Sequence, residues 1–239
     1  MRINKFMARC GVCSRREADG LIKNGVVTIN GRTAVIGDEV EDSDEVSVSG
    51  KKISLPDETI VIAYYKPVGV VCSGKDSHAD RIISDEIPEE ITGGKRVTYA
   101  GRLDKDSEGL IILTDDGDLI DAMMKGSNMH EKEYEVRVNN ILKESDIKNM
   151  RNGIYLEELD TVTRPCRVRQ TGDKSFNIIL TQGLNRQIRR MCESLGLKVQ
   201  SLKRTRVMNL TLENLQVGAS RKLTSEEKKT LYSECGLHI

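Results

Sequence analysis

The apolar positions near the start of the chain repeat with the spacing of an amphipathic helix. Ala18, Leu21 and Ile22 fall on one face of that helix, and polar residues occupy the other. Ser14–Glu17 has the spacing of a capping box, in which a serine hydroxyl and a glutamate carboxylate bond the free amides at a helix start. The pattern therefore predicts a helix that begins directly after the serine.

A short β-ribbon is predicted to follow this helix. Val26–Ile29 is an apolar run, and Asn30-Gly31 directly after it is a strong signal for a two-residue hairpin turn. Further strand candidates are Thr33–Ile36 and Val46–Val48. The predicted division of the chain is a small domain with basic helices at 1–54, a linker at 55–60 and a second domain at 61–239.

From residue 60 the apolar runs become short and numerous, and they do not alternate regularly with helices. This order favours an α+β fold, with a mixed, mainly antiparallel β-sheet and flanking helices, over a parallel βαβ fold. The predicted strands are Ile60–Tyr65, Val97–Ala100, Leu110–Thr114, Tyr134–Val138, Cys166–Arg169, Phe176–Thr181 and Val207–Leu212. The predicted helices are Asp118–Lys125, Glu144–Asn149, Arg186–Leu195 and Glu226–Glu234, the last opened by a Thr224…Glu227 capping box.

The charges balance in total but not in position. The 239 residues carry 37 Lys plus Arg and 37 Asp plus Glu, which by itself argues against a nucleic-acid partner. Counted locally, residues 2–24 carry six cations and two anions, residues 183–206 carry seven and one, and residues 38–58 carry two and eight. The two basic segments are candidate phosphate-binding surfaces, although a solvated surface is the alternative for either one alone.

The composition and the motifs exclude several classes of protein. A hydrophobic fraction of 38% is sufficient for a buried core. No apolar run approaches the ~20 residues that span a bilayer, and the first residues lack the apolar core of a signal peptide, so a soluble, cytoplasmic protein is expected. Cys10 and Cys13 form a lone pair without further ligands, and no nucleotide-binding loop is present. We therefore expect neither a metal nor a cofactor.

A polar loop bounded by glycines lies between two apolar strands at Gly101–Leu110. Such a loop on a rigid sheet is a common place for a reactive side chain, and Asp104 is the candidate, although an aspartate here is more often a turn residue. Asp104–Asp115 also approaches the spacing of a calcium-binding loop. A calcium loop of this kind needs helices on both sides, whereas both flanks here have strand character.

The helix predicted from residue 186 offers a second candidate surface. Apolar residues at the spacing i, i+3, i+4 and i+7 form one face, beginning at Ile188, and Asn185 is placed to cap the helix. The opposite face carries three arginines, which suit a phosphate or a carboxylate, with a solvated helix face as the equal alternative. These arginines are Arg186, Arg189 and Arg190.

Four separate segments of the chain carry motifs that are informative when they are taken together. These segments are Tyr65–Gly69, Gly101–Gly117, Lys132–Val136 and Gly183–Met191. In this order and spacing they resemble the RsuA/RluB/RluE/RluF family of ribosomal RNA pseudouridine synthases. Residues 1–54 resemble the S4 RNA-binding domain that precedes the catalytic domain in this family, so the resemblance covers essentially the whole chain. The last segment most resembles the RluF branch, which acts on 23S rRNA.

The resemblance implies an isomerase that breaks the N–C glycosidic bond of a uridine and rejoins the base through carbon, without metal or cofactor. It implies Asp104 as the nucleophile, which attacks either the sugar or the base, and Arg189 as the cation that keeps Asp104 ionised. It also implies Tyr134 as the residue that packs on the target base, for which a half-buried strand aromatic is the alternative. The target base must leave its stack to reach Asp104.

The expected partner is ribosomal RNA, most directly 23S rRNA, bound through its shape and its phosphates. The chain has eight Tyr and Phe and no Trp, which disfavours a broad stacking platform. The alternatives are an enzyme acting on 16S rRNA and a non-catalytic S4-type RNA- or ribosome-binding protein, and a monomer is expected. The candidate RNA-binding residues are Arg2, Lys5, Arg15, Arg16, Lys66, Arg102, Asn185, Arg186 and Arg190.

Overall fold

The structure is a computed structural model, and it describes residues 1–56, 58–73 and 81–238. Within these residues the α-helices are α1 (Ile3–Arg9), α2 (Arg15–Lys23), α3 (Glu89–Thr92), α4 (Gly117–Met124), α5 (Glu144–Asn152), α6 (Gln187–Glu193) and α7 (Ser225–Glu234). The strands are β1 (Val27–Ile29), β2 (Arg32–Thr33), β3 (Val46–Val48), β4 (Lys51–Ile53), β5 (Val61–Lys66), β6 (Thr98–Ala100), β7 (Glu108–Thr114), β8 (Lys132–Val138), β9 (Tyr155–Leu156), β10 (Thr161–Val162), β11 (Arg167–Gly172), β12 (Ser175–Leu180), β13 (Val199–Val207), β14 (Leu210–Thr211) and β15 (Ser220–Lys222). Short 3₁₀ turns lie at Ile83–Asp85, Gly126–Asn128 and Glu157–Leu159.

Helices α1 and α2 and strands β1 to β4 form what we call the N-terminal module. Its strands make an antiparallel sheet in the order β2-β1-β3-β4. The helices and the sheet share one apolar core, which includes Ile3, Met7 and Val27. The predicted capping box of α2 is confirmed, because Glu17 N donates to Ser14 Oγ over 3.2 Å and Ser14 N donates to Glu17 Oε2 over 2.8 Å.

The predicted hairpin is also confirmed. Asn30 and Gly31 have φ angles of 51° and 80°, as a two-residue hairpin turn requires, and they join β1 to β2. Strand β2 is short, however, whereas the sequence predicted that it would continue through Ile36. The difference comes from a local turn. The Asp38 carboxylate accepts the amide of Val35 over 2.9 Å, so this amide is not available for pairing with β1.

The main sheet contains all of the other strands except the isolated β9–β10 pair. Its order is β11-β12-β8-β13-β7-β5-β15, with β14 paired to β13 and β6 paired to β7. Among the described strands every pairing is antiparallel except that of β13 with β7. One apolar cluster includes residues of α5 and α6, and a second includes residues of α4 and α7. The predicted α+β class, with a mainly antiparallel sheet and flanking helices, is confirmed.

The predicted strand Val207–Leu212 is wrong in its bounds. The long central strand is β13, which ends where that prediction begins, and only β14 lies within the predicted range. Met208, with a φ of 53°, makes the turn between the two strands. The apolar pattern does not predict β13, because one of the buried positions of this strand is the charged residue Arg204, which is 2% exposed.

Ion pairs join the N-terminal module to helix α4. Lys5 pairs with Asp118, Arg9 lies 3.7 Å from the same carboxylate, and Arg15 lies 3.6 Å from Asp121. The sheet of the module ends with β4 and the main sheet begins with β5, while the domain boundaries at 54 and 61 stay a prediction. No helix among the described residues combines the length and the apolar character that crossing a membrane requires.

Candidate active site

The loop at residues 101–107 connects β6 to β7 at a point where the main sheet changes its pairing. Strand β5 occupies one edge of β7 throughout, from Val61 opposite Thr114 to Lys66 opposite Gly109. On the other edge, β6 pairs with the end of β7 and β13 pairs with its beginning, at Gly109. The loop therefore leaves β6 and enters β7 in the gap between two partner strands, which opens a cleft beside it.

Asp104 lies in this loop, with about a third of its side chain exposed. Its carbonyl accepts the amide of Ser107 over 3.1 Å, which closes a turn, and the carbonyl of Lys105 accepts the amide of Gly69 over 2.7 Å. The second of these backbone bonds ties the loop to the segment after β5. The carboxylate of Asp104 lies 3.5 Å from Nη1 of Arg186, so a cation stands beside it.

Arg189 is buried on helix α6 and reaches the same loop, but not Asp104. Its Nη2 donates to the carbonyl of Asp106 over 2.9 Å and to Oγ of Ser107 over 3.1 Å, and it lies 3.2 Å from the Asp106 carboxylate. The resemblance implied Arg189 as the partner of Asp104, and in this structure Arg186 has that place instead. Arg189 therefore holds the loop, and Arg186 faces the carboxylate.

The position of Arg186 follows from where helix α6 begins. The sequence predicted a helix from Arg186 capped by Asn185, whereas α6 starts one residue later and Arg186 itself is the N-cap, with a left-handed backbone at φ 51°. Asn185 does not cap the helix. Its carbonyl and its side-chain oxygen accept instead from Arg190, over 3.0 and 3.1 Å. Arg190 also pairs with Glu158, so its guanidinium is engaged within the protein.

A cavity of about 540 Å³ lies against this loop. Asp104 forms part of its wall, together with the half-buried Tyr134 of β8 and apolar residues such as Leu202. The charges of the wall are strongly unequal, since the described lining residues supply one carboxylate and six cations. These are Asp104 and, as cations, Arg102, Lys125, Lys132, Arg164, Arg186 and Arg204. Such a cavity attracts an anionic ligand and presents one carboxylate to it.

Of the predicted RNA-binding residues near the loop, Arg102, Asn185 and Arg186 are exposed and line the cavity. The prediction for Lys66 is wrong, because its side chain is completely buried. Its Nζ donates to the carbonyls of Pro67 and Val70 over 3.0 and 2.8 Å, and burial lowers its pKa. Lys66 therefore fastens the turn after β5 instead of contacting a ligand.

The predicted RNA-binding residues of the N-terminal module divide into two pairs. Arg2 and Arg16 are exposed, and their side chains make no hydrogen bond or ion pair with a described residue. Lys5 and Arg15 instead use their charges in the ion pairs to α4 described above. The basic segment at 2–24 is therefore partly neutralised by acids of α4, which lie outside that segment.

The predicted set of site residues omitted four cations of the cavity wall. Lys132 stands two residues before Tyr134 on β8, so the alternation of a strand places both on one face, and this signal was available in the sequence. Lys125 and Arg164 lie in connections whose approach to the cavity depends on the tertiary fold. Arg204 lies in the strand whose predicted bounds were wrong. Among the described residues, no group of three or more His, Cys, Asp or Glu is arranged to hold a metal ion.

Comparison with known proteins agrees with the fold and the cavity. The family described as RNA pseudouridylate synthase matches residues 60–194, and the S4 domain matches residues 1–46. The "Dual-specificity RNA pseudouridine synthase RluF" of Escherichia coli (strain K12) is 44% identical over 234 residues, which cover 97% of this chain and 78% of the relative. The "Ribosomal large subunit pseudouridine synthase B" of Bacillus subtilis (strain 168) is 34% identical, covering 96% and 95%.

A solved structure described as "Crystal structure of pseudouridylate synthase" superimposes with a TM-score of 0.70 at 28% identity, and it covers 97% of this chain and 99% of the other. The fold and the cavity thus define an RNA-modifying isomerase with an S4 domain. The chain belongs to the RNA pseudouridine synthase family, and within it to the group that contains the RluF and RluB relatives.

Proposed function

We propose that this enzyme converts a uridine of ribosomal RNA to pseudouridine, and that its target lies in the RNA of the large subunit. The observation that carries the assignment of the site is the single carboxylate, Asp104, in a cavity whose other charged lining residues are cations. The name of the Bacillus subtilis relative, which includes the large ribosomal subunit, supports the choice of RNA. Small-subunit RNA is the alternative target.

In the proposed mechanism Asp104 is the nucleophile, and it attacks either the sugar or the base of the flipped uridine. The bond between C1′ and N1 breaks, a bond between C1′ and C5 forms, C5 loses its proton and N1 gains one. The bond from Asp104 to the sugar or the base breaks again before the product leaves, so the net reaction is an isomerisation. The guanidinium of Arg186 lies 3.5 Å from the carboxylate of Asp104 and orients it towards the cavity. Tyr134 packs on the base from the wall of the cavity.

Arg189 acts in this mechanism as a positioning residue. Its bonds to the Asp106 carbonyl and the Ser107 hydroxyl fix the turn that carries Asp104. The exposed cations at the cavity, Arg102 and Arg186 among them, contact the phosphates on either side of the flipped nucleotide. Binding should therefore weaken steeply as the salt concentration rises.

The variant Asp104→Asn tests the assignment of the nucleophile. It removes the charge and the nucleophilicity of the side chain while keeping its size, so pseudouridine formation should stop and the affinity for the RNA should remain nearly unchanged. Asp42→Asn is the matched control, because Asp42 is exposed and its side chain makes no hydrogen bond or ion pair with a described residue. An Asp104→Asn protein that still modifies RNA would show that the nucleophile is a different group.

The target is tested by mapping pseudouridines in ribosomal RNA from cells that lack this protein. The loss of one site in large-subunit RNA, restored by the wild-type gene but not by the Asp104→Asn gene, is the expected result. A lost site in small-subunit RNA would contradict the proposed target, and no lost site would favour a non-catalytic RNA-binding role. We also propose that the enzyme acts in the cytoplasm as a monomer. Analytical ultracentrifugation of the free protein tests the oligomeric state.

A further inference from the structure

Arg204 is a buried arginine in the wall of the cavity, and its hydrogen bonding is incomplete. It lies on β13 in register with Gly109, and its side chain is enclosed, with 2% of the residue exposed. Nε donates to the carbonyl of Leu110 over 2.7 Å, and Nη1 approaches the carbonyl of Arg102 at 3.4 Å. Nη2 is buried and has no hydrogen-bond partner among the described residues.

The charge of Arg204 is also uncompensated within the described part of the chain. No carboxylate there lies within ion-pair distance of its guanidinium. The neighbouring charges include a further cation, Lys132, whose pKa is lowered first by its burial and then by the charge of Arg204. Lys132 also lines the cavity and makes no side-chain bond to a described residue. A buried cation without a counter-charge is unfavourable, so a ligand that brings negative charge would relieve it.

Two parts of an RNA substrate could supply this charge, and burial distinguishes them. Phosphates remain at the surface, where Arg102 and Arg186 are exposed. The flipped base is the part that enters the cavity. We propose that Arg204 donates a hydrogen bond from Nη2 to a carbonyl oxygen of the flipped uracil and stabilises the negative charge that develops on this base. This inference rests on the proposed function.

The electron count of the reaction requires such a charge in either route open to Asp104. If Asp104 attacks C1′, the electron pair of the C1′–N1 bond remains on the uracil, which leaves as an anion spread over N1, O2 and O4. If Asp104 adds to C6, the electron pair of the C5–C6 double bond moves towards O4. In both routes this charge disappears when C5 is joined to C1′, the bond from Asp104 to C1′ or to C6 breaks and restores the carboxylate, C5 loses its proton and N1 gains one. A fixed guanidinium donor is suited to such a transient oxyanion.

The test compares Arg204→Met with Arg206→Met on an RNA fragment that contains the mapped target. Arg206 lies on the same strand but pairs with Glu131 and Glu133 and does not line the cavity. We expect Arg204→Met to lower the single-turnover rate by about 10²-fold with little change in the dissociation constant, and Arg206→Met to retain most of the rate. Thermal melting checks that each variant is folded. If Arg204→Met does not fold, Arg204→Lys is compared with Arg206→Met in the same way.

A fluorinated substrate separates charge stabilisation from a purely structural role. Fluorine at C5 of the target uracil stabilises the base anion, so loss of Arg204 should slow consumption of this N-linked nucleoside less than it slows consumption of uridine. Equal losses on both substrates, a full rate in Arg204→Met, or a loss of affinity without a loss of rate would each overturn the inference. If the wild-type protein itself forms no pseudouridine, the proposed function fails instead, so the two failures are distinguishable.

Discussion

The guanidinium of Arg186 lies 3.5 Å from the carboxylate of Asp104 and 3.4 Å from that of Asp106. Arg186 reaches both because its backbone is left-handed and it precedes helix α6. Arg189, one turn later, also contacts the Asp106 carboxylate, at 3.2 Å. Two arginines therefore meet at Asp106, and one of them faces Asp104. This arrangement makes Asp106 a positioning residue for the candidate nucleophile.

We expect Asp106→Asn to slow pseudouridine formation roughly tenfold, which corresponds to about 1.4 kcal/mol in the activation free energy. The variant removes the carboxylate that both arginines share, so the loop carrying Asp104 is held less firmly. Asp106 is half-exposed, so the stability of the fold should change little. Single-turnover rates and RNA dissociation constants measure the two effects separately.

Two further variants control this experiment. Asp42→Asn removes one charge from an exposed side chain that makes no hydrogen bond or ion pair with a described residue, and it should keep the wild-type rate. Asp106→Glu keeps the charge and should recover part of the lost rate, which a general loss of stability would not explain. A wild-type rate in Asp106→Asn, or a loss confined to RNA affinity, would exclude the positioning role.

Gly109 is required by the close approach of β7 to β13. Its φ is +122°, and a Cβ added there would lie 2.3 Å from the carbonyl oxygen of Arg204. We expect Gly109→Ala to lower the free energy of unfolding by roughly 2–6 kcal/mol, from backbone strain and steric overlap together. Gly20→Ala, within α2 and with no atom within 4 Å of the new Cβ, should be neutral or stabilising. Urea denaturation of both variants measures the difference, and equal stabilities would contradict the close packing.

The local elements of this fold were predictable because their signals are local. The capping boxes at Ser14 and at Thr224 predicted the starts of α2 and α7, and both boxes are formed. The hairpin at Asn30 and Gly31 follows from the same kind of signal. Most of the predicted strands of the main sheet match observed strands to within two residues, since their buried faces are made of apolar residues.

The features that the sequence does not predict involve charged side chains that are buried or paired within the protein. Lys66 and Arg204 carry cationic side chains, which sequence patterns treat as exposed, and both are enclosed by the main sheet. The partner of Asp104 was assigned to Arg189 by resemblance, and the left-handed residue before α6 moves Arg186 into that place. The ion pairs of Lys5 and Arg15 are not predictable from the local charge pattern, because their acidic partners on α4 are distant in sequence.

The ion pairs between the N-terminal module and α4 predict that removing an acidic residue of α4 strengthens RNA binding. Asp118→Asn should release Lys5 and Arg9, which then become free to contact phosphate. We expect tighter RNA binding. We also expect the logarithm of the association constant to fall more steeply with the logarithm of the salt concentration, by about 1–2 in slope, because roughly 0.9 counterions are released for each phosphate neutralised. The pairs are partly exposed, so stability should fall by no more than about 1 kcal/mol.

The control for this effect is Asp42→Asn, which changes the net charge equally without releasing a cation. Filter-binding or fluorescence-anisotropy titrations at several salt concentrations measure both slopes. If the two variants gave the same slope, the effect would come from net charge alone and the N-terminal module would not gain contacts to RNA.

The pair formed by Arg221 and Glu227 predicts a stability difference that depends on pH. Both guanidinium Nη atoms donate to the Glu227 carboxylate, over 2.8 and 2.7 Å, and this lowers the pKa of Glu227 from its ordinary value of 4.5 to about 2. Because the folded pKa lies below the unfolded one, the stabilisation is complete above about pH 5 and is lost as the pH falls towards 2. Since Arg221 is more than a third exposed, we expect roughly 1–2 kcal/mol after screening by solvent.

Glu227→Gln isolates this contribution, because glutamine removes the charge and can still complete the capping box with Thr224. The variant should be less stable than the wild type at pH 7, and the two unfolding free energies should converge between pH 4.5 and pH 2.5. Glu226→Gln removes a neighbouring charge in the first turn of α7 without removing an ion pair to a described residue, so its difference from the wild type should be small. Chemical denaturation across this pH range provides the comparison. A gap between wild type and Glu227→Gln that stays constant down to pH 2.5 would show that the ion pair is not its source.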